Sequence, residues 1–143
     1  MNKNELESLI VSTIENKDLN KLDSDGMAFI HYAALHNSTF TIEYLFDLFS
    51  RGVTIDQKDK HGSTALMIAA REGHLDIVTK LIEAGATVDQ ADKFGWTALM
   101  FAAENGHLNV VTKLIEAGAT VDQASKYGST ALMHAAESQA DRH

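Results

Sequence analysis

The feature that most constrains this chain is its self-similarity. Asp59–Ala91 superimposes on Asp92–Ala124 at an offset of 33 residues, without a gap. The two stretches differ at seven positions: His61/Phe94, Ser63/Trp96, Ile68/Phe101, Arg71/Glu104, Glu72/Asn105, Asp76/Asn109 and Ile77/Val110. A further copy opens at Ser125 and stops after one helix's worth of chain. A divergent copy begins near Asp23 with "DSDGMAFIHYAALHNSTF" and is three residues longer, the extra length falling in "HNSTF". Units of this length cannot each enclose a core. Every unit must bury its apolar side on its neighbour, which gives an elongated stack rather than a globule.

Each unit reads as two short helices and a projecting turn. In "TALMIAAREG", Thr64 is a good N-cap, Ala, Leu and Met favour helix, and Gly73 supplies the left-handed residue that ends it. In "HLDIVTKLIEAG", Leu75, Val78, Leu81 and Ile82 recur at helical spacing, and Gly85 closes the segment. "ATVDQADKFG" has no helical period and ends on glycine, so it is predicted to be an extended arm and a turn. Positive φ is expected at Gly73, Gly85, Gly106 and Gly118, and Asn37 stands in for Gly73 in the divergent unit. At the N-terminus, Asn4 and Glu7 are spaced as a capping box, with Leu6, Leu9, Ile10 and Ile14 facing the first unit. The last unit offers a helix from about Ala131 to Ser138 and no second helix, which strips cover from Leu108, Val111, Leu114 and Ile115. Weak self-association through this end, or fraying beyond Ala136, is the expected consequence.

The period, the run "G-x-T-x-L-x-x-A-A-x-x-G-H" and the run "L-x-x-x-G-A" together resemble the ankyrin repeat family, over roughly Asp23 to Ala136. The resemblance implies an all-α, helix-turn-helix solenoid with projecting β-turn fingers. It divides the chain into an N-terminal helical cap (1–22), a divergent first repeat (23–58), repeats two (59–91) and three (92–124), and a truncated fourth repeat or C-terminal cap (125–143). One departure stands out: the family's usual "TPLH" is "TALM" at Thr64–Met67, Thr97–Met100 and Thr130–Met133. The first repeat keeps a histidine, His31, but has Ala28 in place of the threonine. Proline pre-sets φ at the first helical position, so alanine there costs a few tenths of a kcal/mol.

Five of the seven differences between repeats two and three fall on the turn tips and the first helices, at positions left over once the shared Leu and Ala residues are assigned to the core. In the ankyrin family that strip is the concave, partner-binding surface. Stacked units bring equivalent residues into rows about 8–10 Å apart. One row is Ser24–Asp25, Lys60–His61, Lys93–Phe94 and Lys126–Tyr127. A second is Met27, Ser63, Trp96 and Ser129. A third is Tyr32, Ile68, Phe101 and His134. The expected partner-binding residues are Tyr32, His61, Ile68, Arg71, Phe94, Trp96, Phe101, Glu104, Tyr127 and His134, with the aromatics of repeat three as anchors. The competing reading is that Trp96 and Phe101 pack on each other as partly exposed core. Glu72, Glu104 and Glu137 run down the same face and, with the net charge, favour a partner with a basic or mixed patch around an apolar centre.

Other chemistries find little support. A formal net charge of -8, with no lysine or arginine cluster, argues against nucleic acid. No cysteine is present, which excludes thiol catalysis and cysteine–zinc sites and fits a reducing, cytoplasmic setting. No apolar run approaches a membrane span, and the start of the chain does not read as a secretory signal. The equivalent histidines His74 and His107 lack the spacing of a metal pair and are expected to be satisfied by backbone groups between repeats. "DSDG" at Asp23–Gly26 lacks the later ligands of a calcium loop and aligns with the turns "DKHG" and "DKFG". "NST" at Asn37–Thr39 fits a glycosylation pattern but reads as a loop. No phosphate loop or nucleophile–base pair is found. The expected function is therefore binding of another protein, without cofactor, metal or catalysis. The alternatives are a targeting or regulatory part of a larger enzyme or effector, including bacterial proteins delivered into host cells by family analogy, and a self-assembling module.

Overall fold

The computed structural model describes residues 2, 4–5, 8, 20–37 and 52–141. Among them six helices are delimited and no strand: α1 (Phe29–His36), α2 (Ala65–Glu72), α3 (Leu75–Glu83), α4 (Ala98–Glu104), α5 (Leu108–Glu116) and α6 (Ala131–Asp141). The architecture is an all-α repeat solenoid. First helices form one layer, with α1 against α2, α2 against α4, and α4 against α6; the second helices α3 and α5 form the other, each packed on the first helix of its own unit and on one another.

The sequence explains why each helix starts and stops. Thr64 and Thr97 are extended N-caps whose hydroxyls accept the Met67 and Met100 N–H groups, both at 3.4 Å. Gly73, Gly85, Gly106 and Gly118 have φ of 76°, 96°, 71° and 94°, and Asn37 takes the same region at 46°. Gly73 has a second duty. A Cβ on it would stand 2.7 Å from the His107 ring, so the next unit can close only over a glycine. The layer of first helices is built on alanine: Ala65, Ala69, Ala70, Ala98 and Ala102 are fully buried, and their small side chains let neighbouring helices approach. Leu66, Val78, Leu81, Leu99, Val110 and Leu114 fill the space between layers.

Two expectations about the ends are corrected. Asn4 is itself helical; the reciprocal cap is made two residues earlier, where Asn2 Oδ1 accepts the Glu5 N–H at 2.8 Å and the Glu5 carboxylate accepts the Asn2 backbone N–H at 3.4 Å. Glu7, Leu6, Leu9, Ile10 and Ile14 lie outside the described residues, as does the 38–51 stretch that holds Ser38–Thr39. The last helix runs to Asp141, three residues beyond the expected Ser138. Loss of cover is selective: Leu108 and Ile115 are exposed, Val111 is half-buried, and Leu114 remains buried by α4 on its inner side.

Candidate partner-binding surface

The turns between units are rigid fingers, and each is shaped by one side chain. Asp59 Oδ1 accepts the backbone N–H groups of His61 and Ser63 at 2.8 and 2.9 Å. Asp92 does the same for Phe94 and Trp96, both at 2.9 Å. Asp23 does so for Asp25 and Met27, both at 3.0 Å, which makes "DSDG" a turn of the same kind rather than a cation loop. In the last finger Ser125 replaces the aspartate, and its hydroxyl holds Tyr127 and Ser129 at 3.3 and 3.2 Å. Successive fingers are hydrogen-bonded edge to edge. Lys60 donates its N–H to Gly26 O at 3.0 Å, Lys93 to His61 O at 3.2 Å, and Lys126 to Phe94 O at 2.9 Å. The contact is close enough that only glycine fits beneath it. A Cβ on Gly26 would meet the Lys60 stem at 2.6–2.8 Å, and one on Gly95 would meet the Lys126 backbone nitrogen at 2.7 Å.

This construction presents the first expected row to solvent. Phe94 is 49% exposed and Tyr127 79% exposed; His61, Lys60, Lys93 and Lys126 are exposed beside them. Row two is half sunk. Trp96 lies 4.9 Å from the Phe101 ring and 4.0 Å from the His134 ring, centre to centre, and packs with Phe101 against the core. For these two residues the geometry follows the packing alternative.

The third row is corrected. Tyr32, Ile68 and His134 are 4%, 3% and 5% exposed, so they do not point away from the core. The reason is the narrow spacing of the first helices. Side chains of that size are enclosed where neighbouring first helices pack together, with the Trp96 ring standing over His134, so this row is a seam. Tyr32 donates its hydroxyl to the Asp23 carboxylate, and burial together with that bond pushes its pKa up to about 12. His134 is covered but unsatisfied: among the described residues neither ring nitrogen has a hydrogen-bond partner, and Glu137 stands 3.8 Å from Nδ1.

The flank of the first helices carries the remaining expected residues. Arg71 and Glu104 are exposed, and Arg71 pairs with the adjacent Glu72 at 3.2 Å. The carboxylates expected to act together are thus divided. Glu72 has an internal cation, Glu137 faces His134, and Glu104 has no ion pair among the described residues.

A family model for ankyrin repeats (3 copies) matches residues 1–92 and 84–142. The chain belongs to the ankyrin repeat family. No curated protein matches it. Ankyrin repeats are generally protein–protein interaction modules and typically non-catalytic. No helix among the described residues is long and apolar enough to cross a membrane.

In this ankyrin chain the first-helix cap is split between repeats. Repeats two and three have the threonine hydroxyl without the histidine. Repeat one has the histidine without the hydroxyl: His31 Nδ1 accepts the Ala28 N–H at 2.9 Å, so Nε2 carries the proton and donates to Gln57 O at 2.8 Å and Ser63 O at 3.1 Å. The "GH" histidines make a parallel tie. His74 Nε2 donates to Leu35 O at 3.1 Å and His107 Nε2 to Arg71 O at 2.9 Å. A further ladder was not anticipated from the sequence. Asp56 accepts both the N–H and the hydroxyl of Thr87, at 3.0 and 2.6 Å, and Asp89 accepts both from Thr120, at 2.8 and 2.6 Å. Asn20 begins the ladder by accepting the Thr54 N–H at 2.6 Å. The recurrence of "T-V-D" is visible in the sequence, but its meaning depends on which aspartate faces which threonine across the stack. Together these ties hold each finger in fixed register with the next.

Proposed function

We propose that this chain binds another protein through the row of finger tips and the adjoining flank of the first helices. His61, Phe94, Tyr127, Arg71 and Glu104 meet the partner. Trp96 and Phe101 form the half-buried floor beneath them. Tyr32, Ile68 and His134 act from below, as the seam that sets finger spacing. One observation carries the reading. Where two otherwise matching repeats differ, three of the seven differing positions, 61/94, 71/104 and 72/105, place exposed side chains on the tips and the flank, while most shared positions supply the core, the caps and the inter-repeat hydrogen bonds. A rigid frame carrying varied exposed aromatics has the composition of an interface centre, because such side chains give large contact area at small entropic cost.

The test uses Phe94→His with Tyr127→Ser, which gives the fingers the residue types found on repeat two and elsewhere in the turns. A protein captured by the wild-type chain is purified and titrated against both forms. The expected result is at least tenfold weaker binding with an unchanged melting temperature. Equal affinity for both forms would place the working surface elsewhere.

A further inference from the structure

The finger row carries a charge pattern opposite to that of the chain as a whole. The net charge is -8, yet the tips of three successive fingers each present a lysine, Lys60, Lys93 and Lys126, all exposed and with no ion pair among the described residues. The stems of Lys60 and Lys93 are not free tethers. The Lys60 stem lies over Gly26, within 2.6–2.8 Å of where a Cβ would be, and Lys93 Cγ lies 3.3 Å from the same point on Gly62. The backbone at each lysine is hydrogen-bonded to the preceding finger at 2.9–3.2 Å. Ordering these stems in the unbound protein removes part of the entropic cost of fixing a lysine on binding.

Among the described residues, the neighbouring acids are not ion-paired with the row. Asp59 and Asp92 each direct Oδ1 at two N–H groups inside their own turns, and in the last finger the aspartate is replaced by Ser125. The row also has a defined end. The first finger carries Ser24 and Asp25 where the others carry a lysine and a ring. Beside the lysines stand His61, Phe94 and Tyr127, so cations and rings alternate along the tips.

We infer that the finger row takes an extended acidic segment of the partner, with carboxylates at every third residue and apolar residues between them. This rests on the reading of the fingers as the binding surface and adds what binds there. The spacing follows from the stacking of the repeats. Each lysine recurs once per repeat, and the packed first helices that carry the fingers stand about 8–10 Å apart. A segment in the polyproline II conformation advances about 3.1 Å per residue with three residues per turn, so every third side chain lies on one face and recurs at about the same distance. Carboxylates at positions one, four and seven meet Lys60, Lys93 and Lys126, and the intervening apolar side chains lie on Phe94 and Tyr127. The acidic Asp25 stops the segment at the first finger.

The experiment uses the whole chain and synthetic peptides without tryptophan or tyrosine. The chain holds a single tryptophan, Trp96, on the third finger, and its fluorescence reports binding without a label. One peptide has aspartates at positions one, four and seven separated by leucine and threonine. A second has the same composition with the aspartates adjacent, a third has lysines in their place, and a single-stranded oligonucleotide of equal charge is the fourth probe. The first peptide is expected to bind at least fivefold tighter than the second, with no binding of the third. Lys93→Gln with Lys126→Gln should weaken it at least tenfold at unchanged melting temperature, and Lys93→Glu with Lys126→Glu should transfer binding to the lysine peptide. Equal binding of the first two peptides, or binding of the oligonucleotide as tight as that of the first peptide, would overturn the inference. So would failure of the charge reversal to change the preference. Those outcomes are distinguishable from failure of the finger surface itself, because Phe94→His with Tyr127→Ser is scored against the captured protein and not against the peptides.

Discussion

Replacing His31 by methionine puts into repeat one the residue that repeats two and three already carry at that position. Met67 and Met100 are both 1% exposed, so the side chain fits the site and no cavity is created. What changes is hydrogen bonding. The Ala28 N–H, in a residue 1% exposed, loses its acceptor, and Ala28 has no hydroxyl with which to cap the helix in return. A buried donor left without a partner costs about 1–3 kcal/mol. Gln57 O loses its bond from Nε2, worth about 1 kcal/mol, whereas Ser63 O keeps the Asp59 N–H at 2.9 Å. The sum is about 2–4 kcal/mol. At about 2–4 °C per kcal/mol for a chain of this size, the melting temperature falls by about 4–16 °C. Urea denaturation followed by far-UV circular dichroism measures the effect. Hydrogen exchange should show the loss first in α1, since stability in a repeat stack is a sum over neighbours. The converse substitution, Met67→His, supplies the missing half of the cap in repeat two, with Gln90 O and Trp96 O in register as acceptors, and should gain about 1 kcal/mol. A His31→Met protein within about 0.5 kcal/mol of wild type would refute the reasoning, because the tie would then contribute nothing beyond what methionine packing supplies.

Four further outcomes are expected. Gly95→Ala and Gly118→Ala both place alanine at positive φ, a cost of about 1–2 kcal/mol, but only Gly95 also meets backbone, the Lys126 nitrogen at 2.7 Å, so its melt should fall by at least about 1 kcal/mol more. His134→Ile removes two buried unsatisfied nitrogens from a site where repeat two holds Ile68, and should stabilise by about 1–2 kcal/mol in denaturant titration. Trp96→Ser with Phe101→Ile rewrites repeat three as repeat two, yet it removes a ring packed between Phe101 and His134; a loss of about 2–4 kcal/mol is expected, and a melt equal to wild type would show that these rings are surface groups. At the C-terminal end, exposed Leu108, Ile115, Val121, Leu132 and Met133 should give weak, concentration-dependent association in sedimentation equilibrium, abolished by Leu108→Glu with Leu132→Glu.

The helices, their caps and their glycine stops were legible because each depends on residues a few positions apart. Thr64 caps Met67, and Gly73 ends the helix that Thr64 begins. Exposure along the strip was less legible, because it is decided between repeats. Helical periodicity places Tyr32, Ile68 and His134 off the core face of their own helices, and that is correct for an isolated helix. In the stack, the neighbouring first helix stands close enough to cover them. The same limit hid the Asp56–Thr87 and Asp89–Thr120 bonds, whose partners are 31 residues apart. The displaced N-terminal cap has a different cause. Asn2-x-x-Glu5 and Asn4-x-x-Glu7 offer the same spacing, and spacing alone does not choose between them. At the tips the exposure of Phe94 and Tyr127 was legible, because those rings project into solvent.

Site-specific photocrosslinking tests the central claim most directly. A photoreactive amino acid is placed singly at Phe94, at Tyr127 and, on the second-helix layer, at Thr112 and Glu116, all four exposed in the unbound protein. Each form is irradiated in the cells that make the chain. One and the same protein should be recovered from Phe94 and Tyr127, its crosslinked peptide should be rich in acidic residues, and Thr112 and Glu116 should give background. Recovery of that protein from Thr112 or Glu116, with background at both finger positions, would contradict the account.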